Sequence, residues 1–366
     1  MKILFISSDS KICEPQSKVR DRLRAYAALT DSLIVVSSAH RSMQLNEGNL
    51  FLHTFADNRI VYFFLLPFRI RHIIRTRMVD VISTQDPFEH GLLALLATIG
   101  TGVRVHMQLH TDPFAPGFVS GSTLGVVNLI RRILLSVTIP RACRVRVVSE
   151  RLKDEIEARW KIPVSVIPVM VQELVSEPTS VPKDLNSFIT IGRLAPEKNV
   201  EDIISSFARI VSEFPEATLT VLGDGPRKKF LTQLTERLRV QKSVTFLGHT
   251  SSVADILARK QVYVHASSYE GYGLTLIEAA LGELPIITTD VGVVGDVLTH
   301  NESALVYRPH DIDSLCTHMK ALLENPERQI TLGQEGAKRV REHLAQYANV
   351  PEMVVRDLKA CIKSSS

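Results

Sequence analysis

The chain has 366 residues, 45% of them hydrophobic and 22% charged, which supports a packed core and excludes wholesale disorder. Its 43 Lys+Arg exceed 39 Asp+Glu by only four charges, too few for a dedicated nucleic-acid binder. Four scattered cysteines (Cys13, Cys143, Cys316, Cys361) form no CxxC pair, so a disulfide scaffold and a cysteine zinc site are both disfavoured and reduced thiols in a cytoplasm are expected.

The first apolar run, residues 2–6, turns polar at Ser7, too early for a signal peptide, and reads as a buried strand. Residues 18–30 have helical spacing, and residues 31–36 form the next strand. The longest apolar run, residues 60–68, is followed by Arg69, Arg71, Arg75 and Arg77. It is about half the roughly 18 residues a membrane span needs. Strand-like runs recur at 79–83, 103–109 and 144–148, with helical stretches at 91–99 and 124–137 between them. In the second half, strands are expected at 188–191, 218–222, 244–246, 262–265, 285–288 and 304–306. Helices there should begin near Val200, Pro226, Ser252, Thr275, Val294 and Asp311, and residues 351–362 form a last amphipathic helix.

Strands alternating with helices imply parallel sheets covered on both faces. The expected fold class is α/β, two tandem doubly wound Rossmann-like domains facing a central cleft. The polar run Glu177-Pro178-Thr179-Ser180-Val181-Pro182 marks a linker within residues 168–186. The expected domains are 1–168, completed by the C-terminal helix 346–366, and 169–345. Residues 1–180 carry 22 Lys+Arg against 16 Asp+Glu, so the basic excess lies in the first domain. Open parallel sheets bind ligands beyond the carboxyl ends of their strands.

Four such strand ends in the second half carry chemistry. The first, Gly192-Arg193-Leu194-Ala195-Pro196-Glu197-Lys198-Asn199, sets two cations five residues apart on a loop that opens a helix. A diphosphate leaving group needs fixed positive charge and helix-start amides. The second, Gly223-Asp224-Gly225-Pro226, is a sharp turn with Pro at the helix start. The third is Phe246-Leu247-Gly248-His249-Thr250, a glycine turn on which a flat base could lie. The fourth, Ser267 to Ala280, contains Glu270-Gly271-Tyr272-Gly273-Leu274-Thr275 and then Glu278. Its two carboxylates stand eight residues apart, roughly 12 Å if helical throughout, too wide for the ~5 Å pair of a retaining glycosidase. The amides of Leu274 and Thr275 begin a helix suited to a phosphate, and Glu278, one turn in, can accept both hydroxyls of a ribose.

In order and spacing, these four segments resemble glycosyltransferase family 4. Its members are metal-independent, retaining enzymes of GT-B fold that use nucleoside-diphosphate sugars. The resemblance is carried by residues 187–300. It implies that Arg193 and Lys198 neutralise the departing diphosphate and that Glu270 lies by the donor sugar. Glu278 would grip the ribose, with Gly223, Gly271, Gly273, Leu274 and Thr275 around the phosphates and Thr250 near the base. His110, in the strand-end segment Gln108 to Phe114 with Asp112, looks like the histidine that touches the donor sugar. Ser149-Glu150 resembles the family's short segment before the linker. The proton of the acceptor would pass to the departing phosphate oxygen.

The implied function is transfer of a hexose from a UDP- or GDP-linked sugar to a hydroxyl of a glycan or lipid-linked acceptor, in polysaccharide biosynthesis, with no metal or other cofactor. The first strand departs from the family: its loop, Ser7-Ser8-Asp9-Ser10-Lys11, has no glycine. That also removes the case for a GxGxxG dinucleotide enzyme, and it leaves two rivals, a nucleotide-sugar epimerase and a non-catalytic nucleotide-sugar-binding subunit. Asp311-Ile312-Asp313 superficially matches a DxD metal motif but reads as a helix N-cap. Arg69, Arg71, Arg75, Arg77, Arg131 and Arg132 beside apolar residues suggest a surface for anionic lipid, hence a cytoplasmic protein peripheral at the inner face of a membrane.

Overall fold

The computed structural model describes residues 1–120, 124–171, 183–250 and 252–363. The run Glu177 to Pro182 lies outside the described residues. Contacts divide the chain into two units. The first holds residues 1–113, 127–168 and 349–366; the second holds 114–126 and 169–348.

The first unit is built on eight strands. In chain order its elements are β1 (Lys2–Ser7), α1 (Lys18–Ala28), β2 (Ser32–Ser38), β3 (Met43–Glu47), β4 (Leu50–Phe55), α2 (Arg59–Arg77), β5 (Val81–Thr84), α3 (Glu89–Thr98) and β6 (Arg104–Leu109). There follow α4 (Gly117–Ser120), whose residues belong to the second unit, α5 (Gly125–Thr138), β7 (Arg144–Val147), α6 (Glu150–Glu157) and β8 (Val164–Val166). The sheet order is β3-β4-β2-β1-β5-β6-β7-β8. All pairings are parallel except β3 with β4. Ile3–Ile6 and Leu33–Val36 are continuous apolar runs because both faces of their strands are covered. The β3–β4 hairpin turns at Gly48 (φ 57°), and β3 alternates half-buried and exposed residues, an edge strand outside the expected parallel pattern.

The second unit carries β9 (Ser187–Ile191), α7 (Val200–Glu213), β10 (Thr218–Leu222), α8 (Lys228–Arg237), β11 (Val244–Gly248), α9 (Val253–Ala258), β12 (Val262–Val264) and α10 (Leu274–Leu281). β13 (Ile286–Thr289), β14 (Leu305–Tyr307), α11 (Ile312–Glu324) and α12 (Pro326–Ala345) complete it. Its sheet, β11-β10-β9-β12-β13-β14, is wholly parallel. The expected helix at Val294 does not form. Gly292 and Gly295 take left-handed φ of 59° and 93°, and a side chain on Gly292 would stand 2.4 Å from the Tyr272 carbonyl. The segment folds instead into turns with single bridges at Val294–Leu298 and His300–Ala304.

The last helix, α13 (Val350–Lys363), packs in the first unit. Val354, Leu358 and Cys361 are buried on one face of it. Asp357, on that face, accepts from His106 Nε2 (2.9 Å) and Ser165 Oγ (2.6 Å) and pairs with Arg144. The expectation of reduced thiols needs correction: Cys143 and Cys361 form a disulfide, while Cys13 and Cys316 are free. Their separation of 218 residues hid the pair, because only the return of α13 to the first sheet brings them together.

Candidate active site

Two loops at the carboxyl ends of β9 and β12 make the centre of the site. After β9, a 3-10 turn (Pro196–Lys198) ends at Asn199, which is left-handed (φ 45°). Asn199 Nδ2 donates to the Ala266 carbonyl (2.8 Å) and Ser268 Oγ (2.7 Å), and the Ser268 amide donates to the Glu197 carbonyl (2.8 Å). The loops are thereby sewn together, and Lys198 Nζ donates to Glu270 Oε1.

Glu270 is held from three sides. Besides Lys198, Ser267 Oγ donates to its Oε1 (2.8 Å), and His265 Nε2 lies 3.1 Å from the same oxygen. An ionised carboxylate only accepts, so His265 presents its Nε2–H there; its Nδ1 is 3.2 Å from Thr288 Oγ1. Burial opposes ionisation of Glu270, but the Lys198 ammonium and the His265 hydrogen bond outweigh it and hold the carboxyl well below the usual range. Glu270 is therefore an anion at neutral pH and an acceptor, with no proton to give.

Arg193 pairs with the buried Glu197, and its side chain stays 68% exposed. That pair engages one nitrogen of a five-donor fork. Gly273 (φ 84°) caps α10, whose first residues are Leu274 and Thr275. Glu278 is half-buried one turn further on. The hydroxyl of Tyr263 ties this end together: it bonds Thr275, burial raises its pKa, and both Glu270 and Glu278 raise it further.

Gly223 has a backbone reason. At φ 138° a Cβ there would meet the Gly192 carbonyl oxygen at 1.9 Å. The amides of Gly192 and Leu194 donate to the carbonyls of Leu222 and Asp224 (3.0 and 2.9 Å), so this turn shapes the Arg193 loop. Thr250 Oγ1 accepts from the Ser252 amide (3.1 Å) just beyond β11. Asp311 Oδ1 accepts from the Ser314 amide (3.0 Å) as the N-cap of α11.

The second unit thus contains Arg193, Lys198, Gly223, Thr250, Glu270, Gly271, Gly273, Leu274, Thr275 and Glu278, and brings Lys198 and Glu270 into contact. His110 belongs to the first unit. Its Nε2 donates to Gln108 Oε1 (3.1 Å), which also accepts from Arg146 (2.8 Å). Surrounding protein and the Arg146 cation push its pKa down to about 3, although its outer edge is open to solvent, so the neutral ring is the form at pH 7. Ser149 caps α6, accepting from the Leu152 amide (3.4 Å).

His265, Ser267 and Tyr263 were missed from the sequence. Their signal was position: they lie in β12 and the five residues before Glu270. Among the described residues, no group of three or more His, Cys, Asp or Glu is placed to hold a metal ion.

Two Rossmann-like units with a cation–carboxylate centre at the strand ends of the second define a glycosyltransferase of GT-B fold. Comparison with known proteins bears this out. Residues 19–172 match the model described as Glycosyltransferase Family 4, and residues 171–339 match Glycosyl transferases group 1. The chain belongs to the GT-B-fold glycosyltransferases. It is 26% identical over 338 residues to N-acetyl-alpha-D-glucosaminyl L-malate synthase of Bacillus anthracis, covering 85% of this chain and 86% of that one. It is 29% identical over 245 residues to the GPI3 subunit of phosphatidylinositol N-acetylglucosaminyltransferase of Saccharomyces cerevisiae, covering 63% of this chain and only 52% of that protein. Among solved structures, sucrose-phosphate synthase from Thermosynechococcus elongatus superimposes with a TM-score of 0.81 over all of both chains at 18% identity. HepE of Anabaena in complex with UDP gives 0.74 at 17% identity, over 98% of this chain and 100% of that one. These structural likenesses carry the fold.

Proposed function

We propose that the chain is a retaining hexosyltransferase that moves a sugar from a UDP- or GDP-linked donor to a hydroxyl of a glycan or lipid-linked acceptor. The observation that carries this reading is the Lys198–Glu270 contact beside the start of α10, with Arg193 on the same loop as Lys198. As the bond from the sugar C1 to the diphosphate breaks, negative charge grows on the leaving oxygen. Lys198, Arg193 and the amides of Leu274 and Thr275 stabilise it, and this is the main catalytic contribution. Glu270, held ionised, accepts from the hydroxyls of the donor sugar, and Glu278 accepts from the ribose. The acceptor oxygen bonds to C1 on the face the diphosphate leaves, and its proton passes to the departing phosphate oxygen. His110, kept neutral, offers its Nδ1 as a hydrogen-bond acceptor to the donor sugar. A UDP complex among the structural neighbours and N-acetylglucosaminyl transfer in the names of two relatives support a nucleotide-linked hexose or hexosamine donor.

The phosphatidylinositol in one relative's name supports a lipid-linked acceptor, and so does the surface of α2. Phe64 and Phe68 are each 73% exposed there, beside a groove of about 590 Å³ lined also by Pro67, Leu93 and Leu96. No helix among the described residues is long and apolar enough to cross a membrane.

Arg193→Ala and Lys198→Ala test the reading. Each should lower transfer by roughly 10²-fold or more, measured with UDP- and GDP-sugars that raise the melting temperature of the wild-type chain. Near-normal rates in both variants would reject the assignment. Isomerised donor in the absence of acceptor would replace it with an epimerase.

A further inference from the structure

The sheet of the first unit has a polar seam in its interior. A strand covered on both faces is normally a continuous apolar run. Yet β5, β6 and β7 bury Ser83, His106, Gln108 and Arg146, none more than 4% exposed. Register aligns them: Ser83 pairs with His106, His106 with Arg144, and Gln108 with Arg146. His106 and Gln108 stand two residues apart, so all of these side chains share one face. It is the face from which Asp357 of α13 bonds His106. Buried polar groups cost stability unless they are bonded, and each of these is bonded.

The direction of every bond in the seam follows from its two ends. Arg146 can only donate. Its Nε and Nη2 bond the carbonyls of Ile167 (3.0 Å) and Pro168 (2.8 Å), and its Nη1 donates to Gln108 Oε1 (2.8 Å). That turns Gln108 Nε2 to Ser83 Oγ (2.9 Å). At the other end the Asp357 carboxylate only accepts, so His106 Nε2 donates to it. In the neutral ring His106 Nδ1 then accepts from the Ser83 hydroxyl (2.9 Å). Ser83 spends its proton on His106 and accepts from Gln108. A flipped Gln108 amide would set donor against donor at Arg146, so the amide has one orientation.

His110 meets the oxygen fixed in this way. Its Nε2 lies 3.1 Å from Gln108 Oε1 and must donate, which leaves Nδ1 with a bare lone pair. The outer edge of the ring is open to solvent. Asp112 follows on its own segment. Burial, with Arg146 from β7, Arg22 from α1 and His106 from β6, disfavours protonation of the ring.

We propose that Gln108 is the positioning residue of His110. Its amide oxygen, locked by Arg146 and by the Ser83–His106–Asp357 chain, holds the ring with Nδ1 bare. Only a ligand group that carries a proton, such as a free sugar hydroxyl, is then bonded there. The sugar contact rests on the function proposed above; the tautomer and its control by Gln108 do not.

Histidine-selective nitrogen NMR on the full chain tests it, with the His110 signals assigned by their loss in His110→Asn. In the wild type Nε2 should carry the proton and Nδ1 none between about pH 5 and 8. Gln108→Glu sets a carboxylate where the amide oxygen was. The tautomer should persist, and the protonated fraction at about pH 5 should rise at least tenfold. Gln108→Leu removes the acceptor, so both ring nitrogens should move toward the average of the two tautomers. In the same variant kcat/KM for transfer should fall about tenfold. A proton on Nδ1 in the wild type, equal protonation in wild type and Gln108→Glu, or ring signals or kcat/KM unmoved in folded Gln108→Leu would each overturn the proposal. Should Gln108→Leu fail to fold, Gln108→Glu alone decides. Donor binding is scored separately, by thermal shift of the wild-type chain with UDP- and GDP-sugars. Its failure would count against the transferase reading, and the NMR result would still decide the part of Gln108.

Discussion

Replacing Asp357 with Asn removes one negative charge from a point where three partners converge. The carboxylate is 3% exposed; its Oδ2 accepts from His106 Nε2 at 2.9 Å, and its Oδ1 accepts from Ser165 Oγ at 2.6 Å and pairs with Arg144. Hydrogen bonds to a buried charged group contribute about 1.5–3 kcal/mol each. The Arg144 share is discounted because that side chain is 28% exposed and solvent screens it. Asn keeps the shape and part of the bonding, so the expected loss is about 3 kcal/mol near pH 7, at the low end for breaking a buried pair. The assay is built into the sequence: the single tryptophan, Trp160, lies in the first unit, so its fluorescence follows unfolding of that unit in urea. With a slope of about 2 kcal/mol/M, the midpoint should fall by roughly 1.5 M. The pH dependence adds a second constraint. Burial raises the Asp357 pKa, but His106, Ser165 and Arg144 outweigh it, so the folded value lies below the unfolded one of about 3.9. Its stabilisation is complete above that unfolded value and is lost as pH falls through the folded one. The gap between wild type and Asp357→Asn should therefore narrow as pH falls below about 4. A midpoint shift under 0.5 M, or a gap that ignores acid, would show that α13 is held by its apolar face alone.

Two further outcomes follow from the fold. Gly223→Ala should destabilise the second unit by about 3 kcal/mol, since it combines a left-handed backbone with a Cβ driven onto the Gly192 carbonyl; an unchanged melting profile would mean that the two turns are not in register. Vesicles with anionic lipid should sediment the chain weakly at low salt and release it as salt rises. Arg69 and Arg131 are committed to Asp57 and Glu89, so Arg75→Ala together with Phe68→Ala should reduce binding more than Arg69→Ala. Equal effects, or no sedimentation at low salt, would remove the lipid surface.

What could be read from the sequence and what could not divide along a physical line. A strand buried on both faces must be a continuous apolar run, and a strand end that makes a sharp turn must use glycine. Hence β1, β2, β9 and β10, and the glycines at 223 and 273, were visible one residue at a time. Glu270 and Glu278 were visible because both lie in one short segment at a fixed spacing. By contrast, every feature that depends on two distant segments was hidden. The Cys143–Cys361 bond, the Asp357–His106 pair and the bonds joining Ser83, Gln108 and Arg146 need the fold before they exist. His265 shows the boundary between the two cases. It lies five residues before Glu270, yet its role appears only when β13 places Thr288 against its other nitrogen, aiming Nε2 at the carboxylate. The charge state of Glu270 is therefore set by three segments together: Lys198 from the β9 loop, His265 and Ser267 from the end of β12, and Thr288 orienting the histidine from behind. A carboxylate held anionic by that enclosure suits a site in which the proton moves between substrates, because the protein then keeps Glu270 fixed as an acceptor throughout the reaction.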